Sequence, residues 1–201
     1  MLHFDILRHG ESDLSHTLRG QTDDALTALG WSQMQSTINR AIQFPVQWQV
    51  IVSSPLQRCA QFAETLAAQL QLPLIYQPGL QEMFFGDWEA QATADIYAHS
   101  PELLANFWQF PTRFTPPNAE PLADFQQRVM NAITELQTVL SQHRWSHALV
   151  ISHGGVIKLL KCLALQQDLN QLLSQEAALA ELHAFQISAQ GELMMAQGES
   201  A

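Results

Sequence analysis

The chain has 201 residues, with nine Lys and Arg against nineteen Asp and Glu, a formal net charge of −10. This acidic balance argues against a nucleic-acid partner, which demands a basic face, and no stretch approaches the roughly 20 apolar residues of a membrane span. The length suits one domain, residues 1–201, with a core that needs no disulfide staples.

Residues 2–7 form an apolar run of the length of a buried strand. The run is broken by His3 and Asp5 and is too short for a signal segment. Arg8-His9-Gly10 follows it directly. Glycine lets backbone approach a ligand, arginine offers a planar fork for phosphate, and histidine can act as a nucleophile. Alone, the tripeptide is weak evidence, because a histidine after a strand is more often a hydrogen-bonded structural residue. Residues 12–24 are polar, contain Gly20 and read as a loop. Thr27 is placed as an N-cap, with Met34, Ile38, Ala41 and Ile42 on a helical stripe.

Residues 49–53 are a second strand, and Ser54-Pro55 reads as an N-cap and first-turn proline. The helix opened there carries Cys59, Phe62, Ala63, Leu66 and Leu70 on one face, with Arg58 off that face in the first turn. Cys59 and Cys162 read as buried thiols of a reduced compartment, which points to a cytoplasmic protein. A third strand is expected at 72–76, closed by Pro78-Gly79.

The next stretch, to residue 114, holds eight of the chain's seventeen aromatic residues, with short helices expected at 89–99 and 101–109. It is expected to form the core of a lid inserted at about 83–120, whose Trp and Phe rings suit a flat aromatic base. A helix at about 121–142 carries Phe125, Val129, Ile133, Leu136 and Leu140. A strand at 147–152 leads into His153-Gly154-Gly155 and a helix to 165. A short helix near 168–174 and a hairpin of 182–188 with 192–196 around Gly191 complete the chain.

Strands alternating with helices predict the α/β class, a three-layer α/β/α sandwich with a mainly parallel central sheet. Ligands of such sheets bind beyond the carboxyl ends of the strands. Arg8-His9-Gly10, the stretch from Ser54 to Arg58, and His153-Gly154-Gly155 all fall there, each able to offer N–H groups to an anion. Around a phosphomonoester, Arg8 and Arg58 would bind non-bridging oxygens as forks. A neutral His9 would attack phosphorus, and His153 would donate to an equatorial oxygen. The leaving alkoxide then needs a proton, usually from a carboxylic acid. Glu82, set among apolar and aromatic residues, leads that role, with Asp87 and Glu89 as rivals.

In order, RHGES at 8–12, GQTDDALT at 20–27, SSPLQR at 53–58, LQEMFFGDWE at 80–89 and SHGG at 152–155 resemble the histidine phosphatase (phosphoglycerate mutase-like) superfamily. The resemblance runs from residue 7 to about 160 and implies a phosphomonoesterase that needs neither metal nor cofactor. It implies His9 as the phosphorylated nucleophile, and Arg8, Arg58, His153 and Gly154 around the phosphate. Glu82 is implied as the acid that later activates water, and Gln21 and Thr22 match positions bordering the phosphate pocket. Two departures stand out. Ser15 replaces the Asn common four residues after the motif's Glu, which shortens or water-bridges one phosphate contact. Ala119-Glu120 replaces the usual Gly-Glu, which puts a substrate role for that loop in doubt.

The implied partner is a small phosphomonoester, with no nucleic acid and no membrane; the oligomeric state stays open. Within the class, a phosphoglycerate mutase or a broad sugar-phosphate phosphatase is the rival, although the short chain leaves little room for a mutase's extra segments. Outside it stand a metallohydrolase built on His9, Glu11, His153 and an aspartate, and a non-catalytic module that binds phosphorylated ligands. Arg113 is the only Lys or Arg between residues 59 and 127, so the lid is poor in cations. Arg128, on the long helix, is expected to pair with a carboxylate.

Overall fold

Six strands lie side by side in the order β3-β2-β4-β1-β5-β6 in a computed structural model that describes residues 1–44, 48–188 and 190–196. They are β1 (Leu2–Arg8), β2 (Val50–Ser53), β3 (Leu74–Tyr76), β4 (His147–Ser152), β5 (Leu182–Ile187) and β6 (Leu193–Met195). The first four pair in parallel, whereas β5 runs antiparallel to β1 and β6 antiparallel to β5. The short connection from β5 to β6 makes that pair a hairpin, which is necessarily antiparallel.

The central strands β2 and β4 read as continuous apolar runs because both faces of the sheet are covered there. Ile6, Val50, Val52 and Val150 face a core shared with α5 (Leu122–His143) and α6 (Gly154–Ala164). Their neighbours Leu7, Ile51, Leu149 and Ile151 face a second core, shared with α1 (Ala28–Ala41) and α2 (Gln57–Leu70). The result is the expected three-layer α/β/α arrangement.

Local chemistry accounts for the helix ends. Thr27 Oγ1 accepts from Gly30 N at 3.1 Å and caps α1 as its sequence suggests. The α2 helix starts at Gln57, later than Ser54-Pro55 predicts. The Ser54 hydroxyl accepts only a long contact from Leu56 N at 3.4 Å and lies 2.7 Å from His153 Nε2, while Asp23 Oδ1 accepts from Gln57 N at 2.7 Å from a different loop. Gln71 closes α2 in the left-handed region, and Leu72 N donates to Ala67 O, so β3 loses its first two expected residues to the helix cap.

Between β3 and α5 the chain forms α3 (Thr93–His99) and α4 (Pro101–Gln109), after a short 3-10 turn at Gly86–Trp88. The α3 helix begins four residues later than expected, because Ala90 takes a positive φ of 59° and Leu18 pairs with Gln91 across an isolated bridge. Gly86 is required by its own φ of 57°, where an added Cβ would also lie 2.2 Å from Pro117 O. Trp88 packs edge-on against Phe107, with centroids 5.8 Å apart, and joins Leu104, Leu122 and Phe125 in the first core. Among the described residues, no helix is long and apolar enough to cross a membrane.

Candidate active site

The carboxyl ends of β2, β4 and β1 are adjacent in the sheet, so the three candidate stretches emerge side by side. His9 N donates to Ser152 O at 3.0 Å, which extends the ladder and brings the ring in over the sheet edge. His9 Nδ1 lies 2.7 Å from the Gly10 carbonyl. A carbonyl only accepts, so Nδ1 carries the proton and Nε2 keeps its lone pair. The His153 ring stands 5.3 Å away at 60°, with Nε2 2.7 Å from Ser54 Oγ, a contact in which either atom can be the donor.

Both histidines are held well below their ordinary value of 6.5, first by burial and then by the neighbouring Arg58 cation. Both are therefore neutral at pH 7. The unfolded chain binds protons there that the folded chain does not, so stability falls as pH drops below about 6.5. The loss reaches up to about 1.4 kcal/mol per pH unit for each ring. Melting scans from pH 7.5 to 5 should show wild type losing stability more steeply than His153→Gln. Parallel slopes would contradict this assignment of neutral rings.

Arg58 is fully buried, and the loop before α1 is wrapped around it. Its Nη1 donates to Thr22 O at 2.8 Å and Asp24 Oδ1 at 3.0 Å, and its Nη2 to Gly20 O at 2.6 Å. Arg8 Nη1 donates to Ala177 O at 2.5 Å. Gly154 lets Arg8 lie over the start of α6, since a Cβ there would sit 3.1 Å from the guanidinium. The Nε–H groups of Arg8, Arg19 and Arg58 are buried, and none has a hydrogen-bond partner among the described residues.

Glu82 accepts from Gly155 N at 2.9 Å through Oε2 and from Met83 N at 2.9 Å through Oε1. Its carboxylate thus docks on the N-terminus of α6, where amide groups and the helix dipole favour negative charge. An added Cβ at Gly155 would meet Glu82 Oε1 at 2.2 Å, so only glycine permits this contact. Behind it, Arg128 Nη2 reaches Glu82 O at 3.2 Å and Glu120 at 2.8 Å, which is the carboxylate pairing expected of Arg128. Glu120 is therefore engaged with α5.

A cavity of about 210 Å³ opens on these groups. Arg8, His9, Arg19, Glu82, Gly154 and Lys158 form its polar end, and Phe85, Phe107 and Phe125 lie in its apolar wall. His153 and Arg58 stand behind the polar end. Ser15, Gln21 and Thr22 are not among the lining residues. Ser15 Oγ accepts from Ser12 N at 2.8 Å, while Gln21 N and Thr22 N donate to Glu89 at 2.7 and 2.6 Å. Glu89 thus anchors that loop, and Asp87 accepts from Asn118 Nδ2 at 3.0 Å. Glu11, the further metal ligand considered, accepts from Thr27 Oγ1 at 2.8 Å, beside α1.

Two charged lining residues had no role assigned from sequence, although Arg19 lies in a stretch that the sequence marks, with those of Arg8 and Arg58, as site-like. Arg19 carried a signal in the scarcity of cations, being one of only nine. Lys158 lies four residues beyond Gly154 on α6, which puts both on one helix face.

A family model described as the histidine phosphatase superfamily (branch 1) matches residues 4–198. The adenosylcobalamin/alpha-ribazole phosphatase of Escherichia coli K12 is 33% identical over 160 residues, 77% of this chain and 75% of that one. The bifunctional protein Rv2228c of Mycobacterium tuberculosis H37Rv is 31% identical over 188 residues, 92% of this chain. The chain spans only 50% of that protein's length. Among solved structures, the alpha-ribazole phosphatase from Shigella flexneri superposes with a TM-score of 0.81 at 25% identity, covering 96% of this chain and 94% of that one.

Proposed function

The chain belongs to the histidine phosphatase superfamily and is a phosphatase; from that premise we propose that it hydrolyses α-ribazole 5′-phosphate, or adenosylcobalamin 5′-phosphate, through a phosphohistidine on His9 and without a metal. The observation that carries the chemistry is a neutral His9 beside Arg8, Arg19 and Arg58, whose buried Nε–H groups have no hydrogen-bond partner among the described residues. Such donors are costly to bury unpaired, and an anion satisfies them.

In the first step His9 Nε2 attacks phosphorus in line. The bond from phosphorus to the ester oxygen breaks, and Glu82, which must take up a proton in the substrate complex against the Gly155 and Met83 N–H groups that favour its carboxylate, gives that oxygen the proton. Arg8 and Arg58 hold the equatorial oxygens as charge redistributes, a contribution of about 10²–10³ per well-placed donor. In the second step the Glu82 carboxylate takes a proton from water, whose oxygen attacks phosphorus. Inorganic phosphate leaves, and His9 returns to its neutral form.

The substrate assignment rests on the apolar end of the cavity. Phe85, Phe107 and Phe125 line it, whereas Trp88 is buried in the core and Trp108 faces solvent. Phe107 and Phe125 are as deeply buried as Trp88, so the ring offered to a ligand is the half-buried Phe85, and stacking on it suits a nucleotide-like molecule with a hydrophobic base, at roughly 1–3 kcal/mol per stacked base. The run EMFFGDWE at 82–89 and FQQRV at 125–129 resemble α-ribazole-5′-phosphate phosphatases, in line with two of the relatives above.

Lys158 favours a second reading, because its ammonium adds positive charge that the inserted segment lacks and would suit the carboxylate of a phosphoglycerate. Side-by-side phosphate-release assays separate the two. The expected kcat/KM for α-ribazole 5′-phosphate exceeds that for 3-phosphoglycerate by at least about 100-fold, roughly 2.7 kcal/mol of differential transition-state binding. A preference for phosphoglycerate would overturn the substrate assignment.

A further inference from the structure

We infer that Arg19 is a catalytic residue, a third arginine whose guanidinium binds the phosphoryl group beside Arg8 and Arg58. The inference rests on the phosphatase reading above but not on the choice of alcohol.

Arg19 lies in the loop before α1 and is only 9% exposed, yet it lines the cavity together with His9, Arg8 and Glu82. A guanidinium has five N–H donors, and a buried one is ordinarily surrounded by acceptors. Arg19 has few. Its Nη1 reaches Leu14 O at a long 3.5 Å. Its Nε lies 3.5 Å from Asp24 Oδ2 without hydrogen-bond geometry, and is buried with no other partner among the described residues. Asp24 is meanwhile taken by stronger donors, Arg58 Nη1 at 3.0 Å and Leu14 N at 3.0 Å.

The charges point the same way. Arg8, Arg19 and Lys158 line the polar end with Arg58 buried behind it, and Glu82 and Asp24 are the opposing carboxylates. Burial and the neighbouring Arg58 lower Arg19 to about 10, which leaves it cationic at neutral pH. A structural arginine held by Asp24 alone would turn its fork to that carboxylate. This one keeps donors free beside the nucleophile, where the three oxygens of a transferring phosphoryl group need more N–H groups than Arg8 and Arg58 have to spare.

The test uses the full chain with p-nitrophenyl phosphate as substrate and inorganic phosphate as a competitive inhibitor. Arg19→Gln should lower kcat/KM about 100-fold, the scale of one lost transition-state donor. It should also weaken phosphate inhibition at least 10-fold. A residue that served only to hold Asp24 would change melting temperature without moving the phosphate constant. Near-normal kcat/KM in folded Arg19→Gln, or unchanged phosphate inhibition, overturns the inference. If Arg19→Gln does not fold, Arg19→Lys decides, because it keeps the charge and loses the fork. A loss of at least about 5-fold in kcat/KM with weaker phosphate inhibition supports the role, and wild-type values for both overturn it. Failure of the phosphatase reading looks different: wild type itself would then release no phosphate from any of the esters.

Discussion

Replacing His9 with alanine should lower phosphatase turnover by at least about 10⁴-fold while the variant stays folded. His9 is 2% exposed, and its ring makes one hydrogen bond among the described residues, to Gly10 O, so alanine removes a ring without leaving a buried charge unpaired. The remaining Arg8, Arg58 and Glu82 still bind and polarise the ester, but the attacking atom is gone. Enzymes stripped of their nucleophile keep only the fraction of catalysis that binding and charge stabilisation supply. Chelators should leave wild-type turnover unchanged. A folded His9→Ala variant with near-normal activity would sink the mechanism. Loss of wild-type activity on chelation, with recovery on adding zinc, would favour a metallohydrolase, even though Glu11 is engaged by Thr27.

The second large effect concerns Glu82. Glu82→Gln should slow hydrolysis of an alkyl phosphate by about 10³-fold and of p-nitrophenyl phosphate by less than about 10-fold. An alkoxide leaves only when protonated, whereas a nitrophenolate leaves unaided, so the leaving group reports directly on the acid. Glutamine keeps the size of the side chain and one of the two N–H contacts, from Gly155 or Met83, and removes the proton donor. Asp87→Asn should show no such difference between substrates, because Asp87 is bound to Asn118 away from the cavity. Equal losses on both substrates would take Glu82 out of the acid role.

Much of this architecture was legible in the residues, and the reasons are specific. The strands ending at Arg8 and Ser152 are buried on both faces, so their apolar runs stand out, and the chemistry-bearing residues follow them directly. The long α5 helix declares itself through Phe125, Val129, Ile133, Leu136 and Leu140, all buried on one stripe. Misreadings arose where tertiary partners outbid local propensity. Ser54 looks like a helix cap, yet its hydroxyl makes only a long contact with Leu56 N and lies beside His153, and α2 starts at Gln57 instead. Thr22 and Gln21 are bound by Glu89, sixty-odd residues away, a contact no local pattern announces. Arg19 and Lys158 reach the cavity only because the loop folds around Arg58 and α6 turns one face inward.

The central claim is a covalent intermediate on His9, and trapping it is the most direct test. Wild-type enzyme mixed with a phosphomonoester labelled with ³²P, quenched in strong base within the first turnovers and digested, should yield one labelled peptide containing His9. Its label should survive alkali, be lost in acid, and form at least as fast as kcat. Absence of label at His9 under conditions where phosphate is released, or label on any other residue, would contradict the account.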